Sequence, residues 1–299
     1  MALLTIFSAP KPFTDPHIAT IQRNAIGSWT RLPEAAVLLV GEEPGLEEAA
    51  REFGVKQMAE VSRNSEGTPL VSSIFALARQ ATDSPLQVYV NADILLTPDL
   101  VEAARQVMSR VQKFLIVGQR WDLDVALPFD FSGDWSARLR ADACNRGKLH
   151  RPLGSDYFVF PRDCFTDMPG FAIGRAGWDN WMIYKARKEG WATVDATSSI
   201  MIIHQNHDYS HLPGGQPHYR LPETYENIRL AGGREMTRFT LLDANRRLVD
   251  GQLHRPAWAW ARFVRWLETF PLLALDNYWL AERIAYVVRR VRNNLGMEK

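Results

Sequence analysis

The stretch Gln87-Val88-Tyr89-Val90-Asn91-Ala92-Asp93-Ile94-Leu95-Leu96-Thr97-Pro98-Asp99-Leu100 decides how the rest of the chain reads. Val88, Tyr89 and Val90 are β-branched or aromatic and predict a buried strand. Thr97 fits a helix N-cap and Pro98 the first helical position. The turn between them is Asn91-Ala92-Asp93. A carboxylate at the C-terminal end of a strand in an α/β sheet lies where such sheets bind ligands. Asp93 therefore has two readings: a turn cap, or a ligand that holds a divalent cation against a phosphate.

Working outward, strand and helix patterns alternate with short connections. Strands are expected at 3–7, 35–40, 55–61, 88–90 and 114–117, and helices from Asp15-Pro16, over 46–53, from Thr68-Pro69 and from Pro98 to about Val111. The second helix stops at Gly54. This alternation predicts an α/β fold with a Rossmann-like, mostly parallel sheet, helices on both faces and right-handed crossovers. The regularity ends near Gly118. Residues 119–154 read as loops and a short helix over the ligand edge. A strand at 157–160, a helix at 178–188 and strands at 192–194 and 199–203 follow.

Composition bounds the function. The 299 residues suit one large domain or one domain with an appendage, and 46% apolar content supplies a sizeable core. A net charge of +1 gives no general attraction to nucleic acid or to an anionic membrane. Two cysteines without CxxC spacing, Cys144 and Cys164, argue against a disulfide framework and a zinc site, and fit a reducing compartment. With neither a secretory leader pattern nor a run of ~20 apolar residues, the expected location is cytoplasmic, with peripheral contact at the inner face of a membrane as an alternative.

Several constellations have a chemical reading beside a structural one. Four of the seven histidines, His204, His207, His211 and His218, fall in one polar run. They form either a surface loop or, for His204 and His207, ligands to a metal or phosphate, since imidazole suits manganese, iron or zinc. Asp179, between Trp178 and Trp181 at a helix start, either caps the helix or acts as a base beside an aromatic platform. Asp156 precedes a strand and either binds an acceptor hydroxyl or caps a turn. Arg63 lies on the expected ligand edge, as a diphosphate contact or a solvated loop residue.

The run Ser65-Glu66-Gly67-Thr68-Pro69-Leu70, a helix, and then Val88 to Leu100 resembles the first half of GT-A nucleotide-sugar glycosyltransferases, in a family-2-like subgroup. In that family the strand ends in a DxD-type motif whose last Asp binds the metal that holds the donor diphosphate. Here the motif is Asn91-Ala92-Asp93, so the first acid is missing. Trp178-Asp179 resembles the family's Trp/acid helix start for the acceptor, and His204 its late His ligand. The resemblance covers about residues 3–210. It implies a Mn2+- or Mg2+-dependent, inverting transfer of a sugar from a nucleoside-diphosphate donor, a UDP-sugar, to a hydroxyl of a glycan or other acceptor. Asp179 is then the catalytic base. Ser8, Pro10, Arg63, Asn91 and Asp93 bind the donor, Asp156 and Trp178 the acceptor, and Asp93, His204 and His207 the metal.

Two other classes compete. A nucleotidyltransferase acting on sugar phosphates uses a similar sheet but needs a Gly-rich loop after the first strand, and Ser8-Ala9-Pro10-Lys11-Pro12 has no Gly. A non-catalytic nucleotide- or sugar-binding module keeps the fold without turnover. Residues 1–254 read as the catalytic domain and 255–299 as a basic extension holding four of the ten tryptophans. The extension reads as two amphipathic helices broken at Phe270-Pro271. It either packs on the domain or a second copy of the chain, or lies on a membrane surface.

Overall fold

The computed structural model describes residues 2–207 and 220–294. The strands are β1 (Leu4–Ser8), β2 (Ala35–Val40), β3 (Lys56–Met58), β4 (Leu86–Val90), β5 (Ile94–Leu95), β6 (Phe114–Val117), β7 (Arg120–Leu123), β8 (Lys148–Leu149), β9 (Tyr157–Pro161), β10 (Ala192–Asp195), β11 (Ile202–Gln205), β12 (Arg246–Val249) and β13 (Gln252–His254). The α-helices are α1 (Pro16–Trp29), α2 (Leu46–Phe53), α3 (Val71–Ala81), α4 (Asp99–Met108), α5 (Trp135–Arg146), α6 (Trp178–Lys188), α7 (Pro222–Leu230), α8 (Trp260–Leu275) and α9 (Tyr278–Asn294).

The central sheet runs β13-β12-β10-β6-β9-β4-β1-β2-β3. It is parallel except for β9, which lies antiparallel between β4 and β6, and the edge hairpin β12–β13. Side chains alternate across it. Leu4, Ile6, Val88, Val90, Ile116 and Val159 join α1, α2 and α4 in one core, whereas Phe7, Tyr89, Leu115, Val117, Phe158 and Phe160 join α3 and α6 in the other. Full burial of β4 on both faces explains its unbroken apolar run. A mostly parallel α/β sheet with helices on both faces is thus the architecture found.

Several boundaries differ from the sequence expectation for identifiable reasons. α3 starts at Val71 rather than at Thr68-Pro69. Asn64 Oδ1 accepts the N–H groups of Glu66 and Thr68, and the tight loop holds 68–70 extended, with Leu70 bridged to Ala172. α4 begins at Asp99, one residue later, with Pro98 at its N-cap. β3 keeps only the three residues that pair with Leu38, Leu39 and Val40. The strand expected at 199–203 is β11, Ile202–Gln205, because Ser199 and Ile200 turn back to the Ala196 carbonyl. His204 therefore lies inside a strand rather than after one.

Residues 119–154 hold more than the expected loops and short helix. β7 and β8 join β5 and β11 in a second sheet, β5-β11-β7-β8, and α5 covers it through Leu139 and Ala143. The alternation Arg120, Trp121, Asp122, Leu123 is too short to stand out among polar neighbours. In the extension, α8 runs through Pro271 and ends instead at Asp276, which takes the left-handed conformation at φ 51°. Burial of Pro271 and Leu272 against the domain offsets the backbone bond that proline cannot make.

Candidate active site

Asp93 reaches its place because the two sheets meet at its turn. β4 ends at Val90 in the central sheet, and β5 begins at Ile94 in the small one. The Asn91 carbonyl accepts the Ile94 N–H at 3.1 Å and closes the turn. β11 pairs with β5 so that His204 stands opposite Ile94, and with β7 so that it stands beside Asp122. The Gln205 N–H binds the Asp93 carbonyl at 3.1 Å. The fully buried Gln205 amide also donates to Ile21 O and accepts from Asn24 Nδ2, which fixes β11 to α1.

This pairing assembles Asp93, His204 and His207, whose ligand atoms all lie within 4.8 Å of one another. Asp93 Oδ2 is 3.0 Å from His207 Nε2 and 3.8 Å from His204 Nε2. Asp93 Oδ1 is buried without a hydrogen-bond partner among the described residues, whereas His204 Nδ1 lies 3.3 Å from Asp122 Oδ1. An unmade bond at a buried oxygen costs about 1–3 kcal/mol, and a cation bound by Asp93 removes the cost.

Charge supports the same donor set. Burial raises the Asp93 carboxyl, but the hydrogen bond from His207, the fields of His204 and His207, and the Lys11 ammonium outweigh it and hold it at about 2. Burial lowers His204, against the pull of the Asp93 carboxylate. An ionised carboxylate beside a neutral imidazole is the protonation state that metal binding requires. Mixed N and O donors suit Mn2+ better than Mg2+.

A second network lies alongside. Arg120 Nη1 donates to both Asp156 oxygens at 2.9 Å, and its Nε to Asp122 Oδ1 at 2.8 Å. Asp122 Oδ2 is 2.7 Å from His150 Nδ1. Asn91 accepts from the Tyr89 hydroxyl and donates to Asp156 Oδ1, each at 3.0 Å. Asn91, the position of the missing acid, thus holds Asp156 in place. The Tyr89 hydroxyl is held far above its usual pKa by burial first, and then by the fields of Asp93, Asp156 and Asp179. Three carboxylates from distant parts of the chain therefore surround the C-terminal end of β4.

Asp179 sits half-buried in the first turn of α6, with Oδ1 shut off from solvent and without a hydrogen-bond partner among the described residues. Burial raises its carboxyl to about 6, with Asp156 adding to the rise and the backbone N–H groups of Asn180, Gly177 and Asp179 opposing it.

Other expected site residues are placed differently. Trp178 is only 5% exposed and packs edge-on against Tyr89 at 4.9 Å, so its ring fills the core instead of forming a platform. Trp181 is buried against Phe171 in the same way. Helix geometry turns both rings toward the sheet, while Asp179 faces the site. Arg63 is bound to Glu43 and to the Gly67 carbonyl, both at 2.9 Å, which directs its fork into its own loop. Ser8 and Pro10 are buried, and Ser8 Oγ has no hydrogen-bond partner among the described residues. His211 and His218 lie outside the described residues.

Sequence reading missed Arg120, Asp122, His150 and Lys11. Their one local signal was the Arg120/Asp122 alternation. Burial lowers the Lys11 ammonium, and Asp93 opposes the shift, so this lysine lies within the field of the site.

No protein-family model matches the chain, and no curated protein resembles it in sequence. Solved structures to which it is similar include three glycosyltransferases. A mannosyltransferase from Pyrobaculum calidifontis, solved with GDP-Man and Mn2+, is 13% identical over 70% of this chain and 58% of that one, with a TM-score of 0.47. TarS from S. aureus, solved with UDP-GlcNAc, is 11% identical over 77% and 65%, at 0.49. Glucosyl-3-phosphoglycerate synthase from M. tuberculosis is 17% identical over 78% and 81%, at 0.48. The chain thus spans less than two thirds of the first two.

Proposed function

We propose that this chain is a metal-dependent glycosyltransferase that moves a sugar from a nucleoside-diphosphate donor, a UDP-sugar, to a hydroxyl of a glycan or other acceptor. Transfer is by single displacement, with inversion. The observation that carries this reading is the meeting of Asp93, His204 and His207 with Asp179 and Asp156 at the C-terminal end of β4, where an α/β sheet presents its ligands. Residues 1–254 carry the reaction, and 255–299 form an appended helical unit.

Asp93, His204 and His207 hold the divalent ion, Mn2+ in preference to Mg2+. That ion supplies Lewis-acid neutralisation of the departing diphosphate. Lys11 adds positive charge on the same side, since its ammonium acts on Asp93. Asp179 takes the proton of the acceptor hydroxyl as that oxygen attacks the anomeric carbon and the bond to the diphosphate breaks. A carboxylate raised to about 6 is ionised at neutral pH yet far more basic than a solvated one, which suits a general base. Asp156, held by Arg120 and Asn91, is positioned to orient the acceptor.

The test is a screen of nucleotide-sugars for donor hydrolysis and transfer, with and without Mn2+. Manganese-dependent turnover of a UDP-sugar supports the reading. Manganese-dependent UDP binding with no turnover of any donor would identify a binding module instead.

A further inference from the structure

α8 is inside out. Its exposed residues are Trp260, Ala261, Phe263, Trp266, Leu267, Phe270, Ala274 and Leu275, all apolar. Its charged residues point toward the protein. Arg265 binds the buried Asp243 and Glu268, both at 2.9 Å, and Arg262 donates to the Leu242 carbonyl at 3.1 Å. A helix that packs on a domain and faces water shows the reverse arrangement.

The outward rings form a continuous ladder. Trp258 lies 6.5 Å from Trp260, Trp260 5.5 Å from Phe263, Phe263 5.9 Å from Trp266, and Trp266 5.0 Å from Phe270. Trp258 is 78% exposed and Trp260 63%. An exposed aromatic ridge of this length marks an interaction surface.

Beside the ridge lies a cavity of about 370 Å³ whose lining includes Arg187, Arg246, Arg255 and Arg262 together with Trp258 and Trp266. Arg187 Nε is buried and has no hydrogen-bond partner among the described residues. The carboxylate in the wall, Asp243, is already bound by Arg265. Among the described residues none of these four arginines forms an ion pair. Cationic forks beside an exposed tryptophan ridge match a bilayer interface, with phosphate headgroups above and acyl chains below.

We propose that the outer face of α8 and the arginine-lined cavity beside it dock the protein on an anionic phospholipid surface. The aromatic ridge enters the interfacial layer, and the guanidinium groups take lipid phosphates. A second copy of the chain fits this face poorly. A two-fold interface sets each patch against itself, which brings the unpaired arginines of both copies together.

The test uses the full chain in co-sedimentation with vesicles of phosphatidylcholine alone and of phosphatidylcholine mixed with phosphatidylglycerol. Binding to the mixed vesicles is expected, with a blue shift of tryptophan emission. Trp260→Ala and Trp266→Ala each lower partitioning about tenfold, the scale of removing one large ring from an apolar contact. Arg246→Ala and Arg255→Ala reduce the preference for phosphatidylglycerol. Trp260 and Trp266 are exposed, so both variants should melt with the parent, which is the control against loss of fold. Failure to sediment with either vesicle overturns the proposal, as does binding that the tryptophan variants leave unchanged. A dimer in light scattering that Trp266→Ala dissociates would assign the face to a second copy. Calorimetric binding of inorganic phosphate by a chain that ignores vesicles would assign the cavity to a free anion.

Discussion

Asp179→Asn exchanges a carboxylate for an amide of nearly the same shape at the first turn of α6. In the folded protein burial raises this carboxyl from 3.8 to about 6. About two pKa units at 1.36 kcal/mol each make the ionised form a liability of about 3 kcal/mol, and half-burial brings that to about 1–3 kcal/mol. The sign follows from the proton. The folded state binds it more tightly than the unfolded, so the penalty is fully present above the folded value and disappears as pH falls toward 3.8. The amide carries no such penalty. At neutral pH the variant should melt several degrees higher than the parent, at about 2–4 °C per kcal/mol for a chain of this size. The parent should close the gap as the buffer is taken from neutral into the acid range. Turnover should fall by about 10²–10⁴-fold, the usual contribution of a positioned base, with donor affinity unchanged. Calorimetric melting across pH, steady-state turnover and UDP titration on this one variant check all three. A variant that melts lower than the parent, or that keeps parental turnover, refutes the reasoning.

Asp93→Ala should abolish manganese-dependent UDP binding in calorimetry. His204→Ala should weaken it by more than about 100-fold, beyond the range of changes behind the ligands, and by more than His211→Ala does. Lowering the pH should remove the stability that Asp93 contributes, about 2 kcal/mol. Its folded value of about 2 lies below the usual 3.8, so the loss falls between those values in acid unfolding and vanishes in Asp93→Asn. Arg120→Ala leaves Asp156 buried without its cation and should cost about 3–5 kcal/mol in urea unfolding; Arg120→Lys should recover part of it. Arg265→Ala strands both Asp243 and Glu268, at 3% and 6% side-chain exposure, and should destabilise by a similar amount, about 3–5 kcal/mol.

Local pattern carried much of the fold. β2, α2, β6 and α6 lie where their apolar periodicity and stops put them, because each is a short element whose burial repeats in sequence. The strand that ends at Val90, the Asn91-Ala92-Asp93 turn and the helix beyond it were legible for the same reason. What local pattern hid were elements made by pairing. β5 and β8 have two residues each and exist only because β11 and β7 lie beside them. β7 is four residues of mixed polarity, with no apolar run to announce it.

The sequence by itself determined the α/β class, the position of Asp93 at a strand end and the grouping of His204 and His207. Each depends on residues near one another in the chain. Tertiary structure alone decided which groups meet. Asp93 and His207 are 114 positions apart and are joined by the register of β11 on β5. Asp156 and Arg120 face each other because β9 enters the sheet antiparallel beside β4 and β7 starts the second sheet. Tertiary structure also decided the direction of side chains. Trp178 turns into the core while its neighbour Asp179 stays at the site, and α8 turns its charges inward and its rings out. Helical periodicity defines two faces, but which face is covered depends on what the rest of the chain brings against it.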